Sequence, residues 1–509
     1  MLPDSSQKSS LSTDEGSSFI ANTAKFGASS TLTWMAQGHC TRGMLGAILG
    51  KAGGGFLKHI SQERFNAYCM LTKDPLAEDL AEELAWYADD QENVIAAVFR
   101  DRTDGDHCHL TLARDEAGRY RCIDVSCGFE SPEAAASALR EVVAREASKK
   151  SPGHGQDSHP TVGLDLFTPV VDDGKLHPSF KILSDGRGHS SGREIIREMM
   201  PHLEDVDGNF VEQFQTTGFD ARLWELYLFA YLREERLGVS RPRPAPDFRV
   251  ERFGEVAYIE AVIAGPSKGA DVALSGRSES PKNAAEVRER LNDEIPIRFG
   301  SPLYSKLKKE YWKLHDIGVQ PLVLAIADFH AEASMLWTST GLQEYLYGTR
   351  HDFSFDEAGS LVISPLKIEV HQVAGKVIPS GFFFQPHSEH ISAVLFSNSG
   401  TISKFTRMGK LAGFGDPAVK ILRLGTRYLH DPNAALPARF AHDVAPGACA
   451  ETWGEGVSIF HNPHARSPLP EVLFPSVAHH KFVDGQIRSH IPEFHPFGSV
   501  TTILIPKDS

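Results

Sequence analysis

The sequence is poor in cysteine and in long apolar runs. Its 509 residues include 6 cysteines, and none has CxxC spacing, which excludes a disulfide-dense miniprotein and predicts reduced thiols. The longest apolar runs, such as PLVLAIA at 321–327, are much shorter than the roughly 20 residues needed to cross a bilayer, so we expect no membrane partner. The polar N-terminus lacks the basic and apolar parts of a secretory signal. These absences predict a cytoplasmic protein.

Positive charge is also in deficit. The chain has 52 Lys and Arg against 66 Asp and Glu, a formal charge of −14. Such a chain does not coat nucleic acid indiscriminately, although a local basic groove within an acidic protein remains compatible with this total. With 41% hydrophobic and 23% charged residues, the composition is typical of globular proteins, and the length predicts several domains.

The chain divides into segments of different composition. Residues 1–18 contain almost nothing to bury and predict a disordered tail. Residues 19–148 follow, with a small independent α+β domain at 76–148 that would recruit a partner or regulate. KKSPGHGQDSHP at 149–160 has the Pro, Gly and Ser content of a linker, so proteolysis there should release a folded fragment.

Local patterns within the α+β domain predict its elements. DPLAEDLAEELAWYADD at 74–90 has apolar residues at helical spacing, and NVIAAVFRDR at 93–102 resembles a strand. CHLTLARDEAGRYRCIDV at 108–125 predicts a hairpin, and Ser131 with Pro132 predicts the start of a helix.

Residues 161–350 alternate helical and apolar strand patterns, and 351–509 are rich in strand signals. We therefore predict a central α/β domain with a β-rich C-terminal region packed on it. In the central part, the segment from Leu223 to Leu232 is apolar nearly all round and predicts a buried helix. Glu225 lies inside it, and burying an ionised carboxylate without a partner is energetically costly. Either it forms a structural salt bridge with an arginine, or it is a catalytic or metal-supporting carboxylate.

Two further acids lie on predicted strands. In EVAYIEAVIA at 255–264, Glu260 is a lone acid among apolar neighbours, and Asp247 begins the preceding strand. The two carboxylates would approach one another across the hairpin. Carboxylate oxygens are suitable ligands for Mg²⁺ or Mn²⁺, which can polarise a phosphoryl oxygen and activate water.

A helical Glu225, then Pro246-Asp247, then twelve residues and Glu260 resembles the PD-(D/E)XK, or restriction-endonuclease-like, nuclease superfamily. The resemblance covers about 218–330. It implies an α/β fold with an αβββαβ core and a metal-dependent nuclease activity. Defence and DNA processing are roles to which such folds are suited.

The sequence departs from this pattern at the motif lysine. Two residues after Glu260 the chain has Val262, so the lysine would have to come from elsewhere. Lys306, expected in the first turn of a helix formed by SPLYSKLKKEYWKLH at 301–315, is the first candidate. The spacing of residues in this predicted helix indicates an apolar stripe on one face and an outer row of lysines that can contact a phosphate backbone. The stripe comprises Tyr304, Leu307, Tyr311 and Leu314, and the row comprises Lys306, Lys309 and Lys313.

Arginines add positive charge around the acids and favour a local polyanion site. They are Arg233, Arg236, Arg241, Arg243, Arg249 and Arg252. The C-terminal histidines, in contrast, lack an acid at ligand spacing and predict surface or loop positions. They are His461, His464, His479, His480, His490 and His495.

The sequence therefore predicts a metal-dependent nuclease in which Asp247 and Glu260 bind Mg²⁺ or Mn²⁺, Glu225 supports the ion and Lys306 assists hydrolysis. The expected partner is nucleic acid, DNA ahead of RNA, with a homodimer or a protein partner contacted through the N-terminal domain. One alternative is an inactive nuclease fold that binds nucleic acid or another protein. A second is that the acids are structural and the chain binds a protein.

Overall fold

The structure is a computed structural model that describes residues 57–149, 163–266 and 280–506. The predicted tail at 1–18 and nearly all of the predicted linker at 149–160 lie outside the described residues.

The N-terminal part contains one antiparallel sheet whose strands follow chain order. Its strands are β1 (Lys58–His59), β2 (Ala81–Ala88), β3 (Val94–Asp101), β4 (His107–Arg114) and β5 (Tyr120–Phe129), and its helices are α1 (Gln62–Cys69), α2 (Ala77–Leu80) and α3 (Pro132–Ala147). Helix α3 packs on the sheet through Leu139 and Val143. It begins as predicted, because the Ser131 hydroxyl accepts a hydrogen bond from the Ala134 N–H at 3.2 Å.

The helix predicted at 74–90 is wrong over most of its length. Only the four residues of α2 are helical, and the chain continues directly into strand β2. Buried and half-buried side chains alternate from Ala81 to Tyr87, which is the period of a strand. The apolar spacing fits either structure, and pairing with β1 and β3 decides between them.

Cys108 and Cys127 form a disulfide, so the prediction of reduced thiols is wrong for this pair. The pairing of β4 with β5 shifts register between His107 and His109, which places the two cysteines side by side with their Cα atoms 4.1 Å apart. Sequence spacing does not reveal such a contact, because it depends on strand register. Cys69, Cys122 and Cys449 of the described chain are not disulfide-bonded.

The rest of the described chain is built around a second, larger sheet. Its strands and those of its satellites are β6 (Gly238–Ser240), β7 (Phe248–Arg252), β8 (Glu255–Ala264), β9 (Leu322–Asp328), β10 (Thr349–Phe355), β11 (Leu361–Lys367), β12 (Val370–Val373), β13 (Lys376–Pro379), β14 (Ala393–Phe396), β15 (Lys420–Arg427), β16 (Ala438–Asp443), β17 (Ser458–His461), β18 (Ala478–Val483), β19 (Gln486–His490) and β20 (Pro496–Leu504). The helices are α4 (Pro178–Asp185), α5 (Ser190–Met199), α6 (Phe210–Gln215), α7 (Phe219–Glu234), α8 (Ala284–Asn292), α9 (Glu294–Leu307), α10 (Ser339–Tyr347) and α11 (Ile402–Leu411).

The large sheet has eight strands in the order β19-β18-β17-β14-β9-β8-β7-β6. Strands β6, β7 and β8 form an antiparallel meander, and β9 pairs parallel to β8. Between Phe219 and Asp328 the described residues thus form a helix, three strands, two helices and a strand. The predicted mixed α/β class is confirmed.

Helices cover both faces of the sheet at its centre. On one face α7 is buried, as its apolar composition predicts, and the Trp224 side-chain N–H donates to the Ala325 carbonyl in β9 at 3.0 Å. On the other face, Phe299 and Leu303 of α9 pack with Val262 of β8. Strands β8 and β9 are therefore covered on both faces, which explains their nearly continuous apolar sequences.

The sequence predicted a β-rich C-terminal region packed on the central domain, whereas four strands of this region belong to the large sheet itself. The remaining C-terminal strands form three smaller sheets, β10-β11, β12-β13 and β16-β15-β20. Strand β14 pairs parallel to β9, and β17, β18 and β19 extend the sheet beyond it. The predicted boundary at residue 350 consequently does not separate two sheets. When two short strands that pair are separated by more than 60 residues along the chain, the local sequence does not indicate which strand is the partner.

The N-terminal α+β unit packs against the rest of the described chain and is not independent. Arg114 of β4 forms an ion pair with Glu198 of α5, with an N–O distance of 2.9 Å. The rings of Tyr68 and Phe414 meet edge to face, with centroids 5.4 Å apart. Both aromatic residues belong to one hydrophobic core that also contains α7. A fragment released at the predicted linker would therefore lose buried apolar surface.

None of the helices in the described ranges is long and apolar enough to cross a membrane.

We expect the two parts to remain associated after the chain is cut within 149–160. A specific protease site inserted there would break the backbone and leave the shared core intact, so both fragments should elute together in size-exclusion chromatography. The uncut variant provides the reference elution volume. Two separate peaks of native fragments would contradict the shared core.

Candidate functional site

Glu260 is an acidic side chain buried at the centre of the large sheet. It lies on β8 between Tyr258 and Val262, on the face covered by α9, and is 2% exposed. Its neighbour on β9 is Leu324. An ionised carboxylate in such surroundings costs several kcal/mol unless a partner compensates for the lost hydration, on the order of magnitude known for buried ions.

Two side chains from the end of α9 and the turn after it supply this compensation. The Lys306 ammonium pairs with Oε1 of Glu260, and the Tyr311 hydroxyl donates to the same oxygen at 2.7 Å. Burial, followed by the negative charge of Glu260, raises the pKa of Tyr311, which therefore stays protonated as a donor. The second oxygen, Oε2, is buried and has no hydrogen-bond partner among the described residues.

Asp247 is brought beside Glu260 by the hairpin of β7 and β8. Phe248 pairs with Ile259, so the preceding residue, Asp247, lies opposite Glu260. The backbone N–H of Ala261 donates to Oδ2 of Asp247 at 2.7 Å. The approach of the two strand acids expected from the hairpin is therefore present in the structure.

The pKa of Asp247 is raised well above its ordinary value. Burial is the largest cause, and the negative charges of Glu225 and Glu260 add to it. Lys306 acts in the opposite direction but does not cancel these effects. The direction of the shift indicates that Asp247 lies among carboxylates with too little positive charge nearby.

Glu225 lies on α7 and is held by two arginines. Arg222 donates to Oε1 at 2.8 Å, and Arg241 donates to Oε2 at 2.9 Å. Burial raises the pKa of Glu225, while the arginines oppose this rise. The salt bridge anticipated as the structural interpretation is thus present, and Glu225 nevertheless lies close enough to raise the pKa of Asp247.

Lys306 reaches the acids from a different place than predicted. Helix α9 begins at Glu294 and contains Pro302, so Lys306 lies in its last turn and not in its first. The buried pair of Glu294 and Arg298, at 2.8 Å, lies in the first turns that the sequence pattern missed. Because the helix ends at Leu307, the predicted outer row of lysines does not exist on one helix face.

Three of the six arginines expected to form a polyanion site pair with carboxylates. Arg241 pairs with Glu225, and Arg249 pairs with Glu251 at 2.7 Å. Arg243 pairs with Asp316. These three guanidinium groups are already neutralised by carboxylates, so their clustering in the sequence does not predict a phosphate-binding surface.

The residues at this site fit a divalent cation. Asp247 and Glu260 offer adjacent carboxylates, and Oε2 of Glu260 has no donor within the described chain. Carboxylate oxygens are the ligands preferred by Mg²⁺ and Mn²⁺. A cation here would also supply the positive charge whose shortage raises the pKa of Asp247.

Sequence reasoning missed two features of functional interest. The sequence pattern predicts Tyr311 on an apolar stripe, whereas its hydroxyl donates a hydrogen bond to Glu260. The C-terminal histidines were placed in loops or on the surface, whereas His479, His480 and His495 are buried. His461 and His479 also meet an acid, Glu471, contrary to the predicted absence of one.

Comparison with known proteins finds no match among family models, curated proteins or solved structures.

Asp247→Asn tests the charge imbalance directly. Asparagine retains an oxygen for the Ala261 N–H and removes the negative charge. Because folding raises the pKa of Asp247 above its ordinary 3.8, the folded state binds this proton more tightly, and the stability of the protein falls as pH rises through the raised pKa. We expect the variant to be more stable than the parent at pH 8, on the order of 1 kcal/mol, and the gain to shrink towards pH 4.

The measurement is thermal unfolding of both proteins across this pH range, without divalent ions. Asp352→Asn, at an exposed position of β10, is the matched control and should show no such pH-dependent gain. A loss of stability in Asp247→Asn that is equal at pH 5 and pH 8 would contradict the argument.

Proposed function

We propose that this chain is a metal-dependent nuclease with a restriction-endonuclease-like core, which hydrolyses phosphodiester bonds in nucleic acid. The observation that carries the proposal is the convergence of Asp247 and Glu260 with a lysine, Lys306, on Glu260. Two carboxylates and an ammonium group at one point provide oxygen ligands for a cation and a positive charge for the transition state.

The order of elements supports the same proposal. Among the described residues, helix α7, the meander β6-β7-β8, helices α8 and α9 and strand β9 follow one another in the αβββαβ order of that superfamily, with one extra helix. Asp247 immediately precedes the second strand of the meander and Glu260 lies on the third.

In this proposal Asp247 and Glu260 hold Mg²⁺ or Mn²⁺ through their carboxylate oxygens. Such an ion, when bound, polarises a phosphoryl oxygen and lowers the pKa of a coordinated water. Tyr311 holds Oε1 of Glu260, which fixes the carboxylate and directs Oε2 to its ligand. Glu225 is a positioning residue, because both its oxygens are bound by Arg222 and Arg241.

Lys306 takes the role of the motif lysine that Val262 replaces. Its side chain is 30% exposed, so it can leave Glu260 and contact a phosphate without further unfolding. Its charge would stabilise the negative charge that develops as the oxygen of water bonds to phosphorus and the bond from phosphorus to the leaving sugar oxygen breaks. The attacking water releases a proton to solvent, and the leaving sugar oxygen takes up a proton from solvent.

The substrate would approach past the exposed end of α9. Lys308 and Lys309 follow the helix and are exposed, next to the half-buried Lys306. Exposed lysines at this point can contact the phosphate backbone and thereby place a phosphodiester over the acids. DNA is the first substrate to test, and RNA the second.

An inactive nuclease fold that binds nucleic acid is the second candidate function. The observation that favours it is Val262, which is 4% exposed and packs with Tyr258 and Leu303 at the motif position of the lysine. In this case Lys306 would be the permanent counter-ion of Glu260 and would hold the fold together without assisting hydrolysis.

Cleavage assays separate the two candidates. The full chain is incubated with single-stranded DNA, duplex DNA and RNA in Mg²⁺, Mn²⁺ or EDTA, and binding is measured on the same substrates. We expect metal-dependent cleavage that Asp247→Asn and Glu260→Gln reduce by at least about 100-fold, because the remaining carboxylate holds the ion too weakly. Binding without cleavage under every condition would reject the enzyme, and neither binding nor cleavage would reject both candidates.

Lys306 and Lys309 form a matched pair of positions for a further measurement. Lys306→Gln should lower kcat by about 100-fold or more with little change in metal affinity, since it removes charge at the reacting phosphate. Lys309→Gln should weaken substrate binding and retain kcat. It should also make the dependence of the logarithm of the binding constant on the logarithm of salt concentration less steep by about one unit, because one fewer counter-ion is released. Equal effects of the two substitutions on kcat would contradict the role assigned to Lys306.

A further inference from the structure

Two histidines and a glutamate meet at the other end of the large sheet. His461 ends β17, and His479 follows the first residue of the adjacent parallel strand β18. Glu471 lies in a short 3-10 turn in the segment that connects these strands. One potential ligand atom from each of the three residues lies within 4.8 Å of the others.

The register of the strands explains why the two imidazoles meet. Ile459 pairs with His479, so their side chains share a face of the sheet, and His461 is two residues after Ile459 on that same face. The rings stack with centroids 5.2 Å apart and are tilted by 25°. Nε2 of His461 and Nδ1 of His479 are 2.9 Å apart.

A backbone carbonyl fixes the orientation of His479. Its Nε2 lies 2.8 Å from the carbonyl oxygen of Phe474, which can only accept a hydrogen bond. Nε2 therefore carries the proton, and the lone pair of Nδ1 points at His461. An imidazole N–H bound to a carbonyl is the arrangement that typically orients a metal-binding histidine.

We infer that His461, Glu471 and His479 form a binding site for zinc. Two imidazole nitrogens and one carboxylate oxygen are a ligand set of zinc sites that keep one position open. Tetrahedral geometry with bonds of about 2.0–2.1 Å separates two nitrogen ligands by about 3.3 Å, so the two imidazoles need to move apart by only a few tenths of an ångström.

Glu471 already has a positively charged partner, which a metal ion would have to displace. Lys481 is the competing cation, because it pairs with Glu471, but both side chains of that pair are about half exposed and can exchange partners.

This zinc site is separate from the acids of the proposed nuclease site. Strands β14 and β9 lie between β17 and β8, and the histidines lie on the sheet face opposite to that of Glu260. Its ligands include imidazole nitrogen, which binds zinc more readily than it binds magnesium. The ion would link β17, the connecting segment and β18, and thereby stabilise the C-terminal edge of the sheet.

The test uses the full chain after EDTA treatment and dialysis, with added ZnCl₂, MgCl₂ or MnCl₂. We expect one zinc per chain to remain after gel filtration, a higher Tm with zinc and no rise with magnesium. Glu471→Gln and His461→Gln should weaken zinc binding by at least about 10-fold. His464→Gln, in the same connecting segment but outside the triad, is the control and should bind zinc as the parent does.

Glu471 is exposed, so its substitution remains informative if His461→Gln does not fold. Asp247→Asn should retain zinc, which separates failure of this site from failure of the proposed nuclease. Co²⁺ in place of zinc should give the intense visible absorption of a tetrahedral site. No zinc retained by the parent chain, or equal zinc in Glu471→Gln and His464→Gln, would overturn the inference.

Discussion

An ionised carboxylate enclosed between a sheet and a helix is unfavourable unless a positively charged group lies beside it. Glu260 is such a carboxylate at the centre of the fold. Strand β8 is covered on both faces, so water cannot supply the compensation. Lys306 and Tyr311 supply it, and both come from the segment where α9 ends and the chain turns towards β9. The end of that helix and the path of the following turn are therefore tied to one side chain on the strand beneath them.

The same need explains the arginines on the other side of the site. Glu225 is buried in α7 and takes two guanidinium groups, one from its own helix and one from the chain that leads to β7. Asp247 receives no guanidinium group from the described residues and accepts a backbone N–H instead. Charge is thus distributed unevenly among three acids that lie close together: Glu225 has two arginine partners, whereas Glu260 has one lysine and Asp247 is short of positive charge.

Local sequence was sufficient for some of these features and insufficient for others. The buried helix, the strand acids and the cap at Ser131 were predicted because each depends on residues within one or two elements. Strand β2, the disulfide and the C-terminal strands were missed because each depends on pairing with a distant segment. Lys306 contacts Glu260, but from the last turn of α9 and not from the first. The pattern after Ser301 resembles a helix start, and it gives no sign that the helix already includes Arg298.

Charge balance also indicates how one site can exist in two states. Glu225 and Asp207 together balance the charges of Arg222 and Arg241, whereas Asp247 with Glu260 and Lys306 carries about −1 when all groups are ionised, in a region of low dielectric. The raised pKa of Asp247 means that a proton is one way to remove this excess negative charge. In the proposed function a divalent cation would be the other, and it would have to displace that proton to use the carboxylate. Proton and metal would then compete for the same oxygen, while Lys306 and Tyr311 compensate for the burial of Glu260.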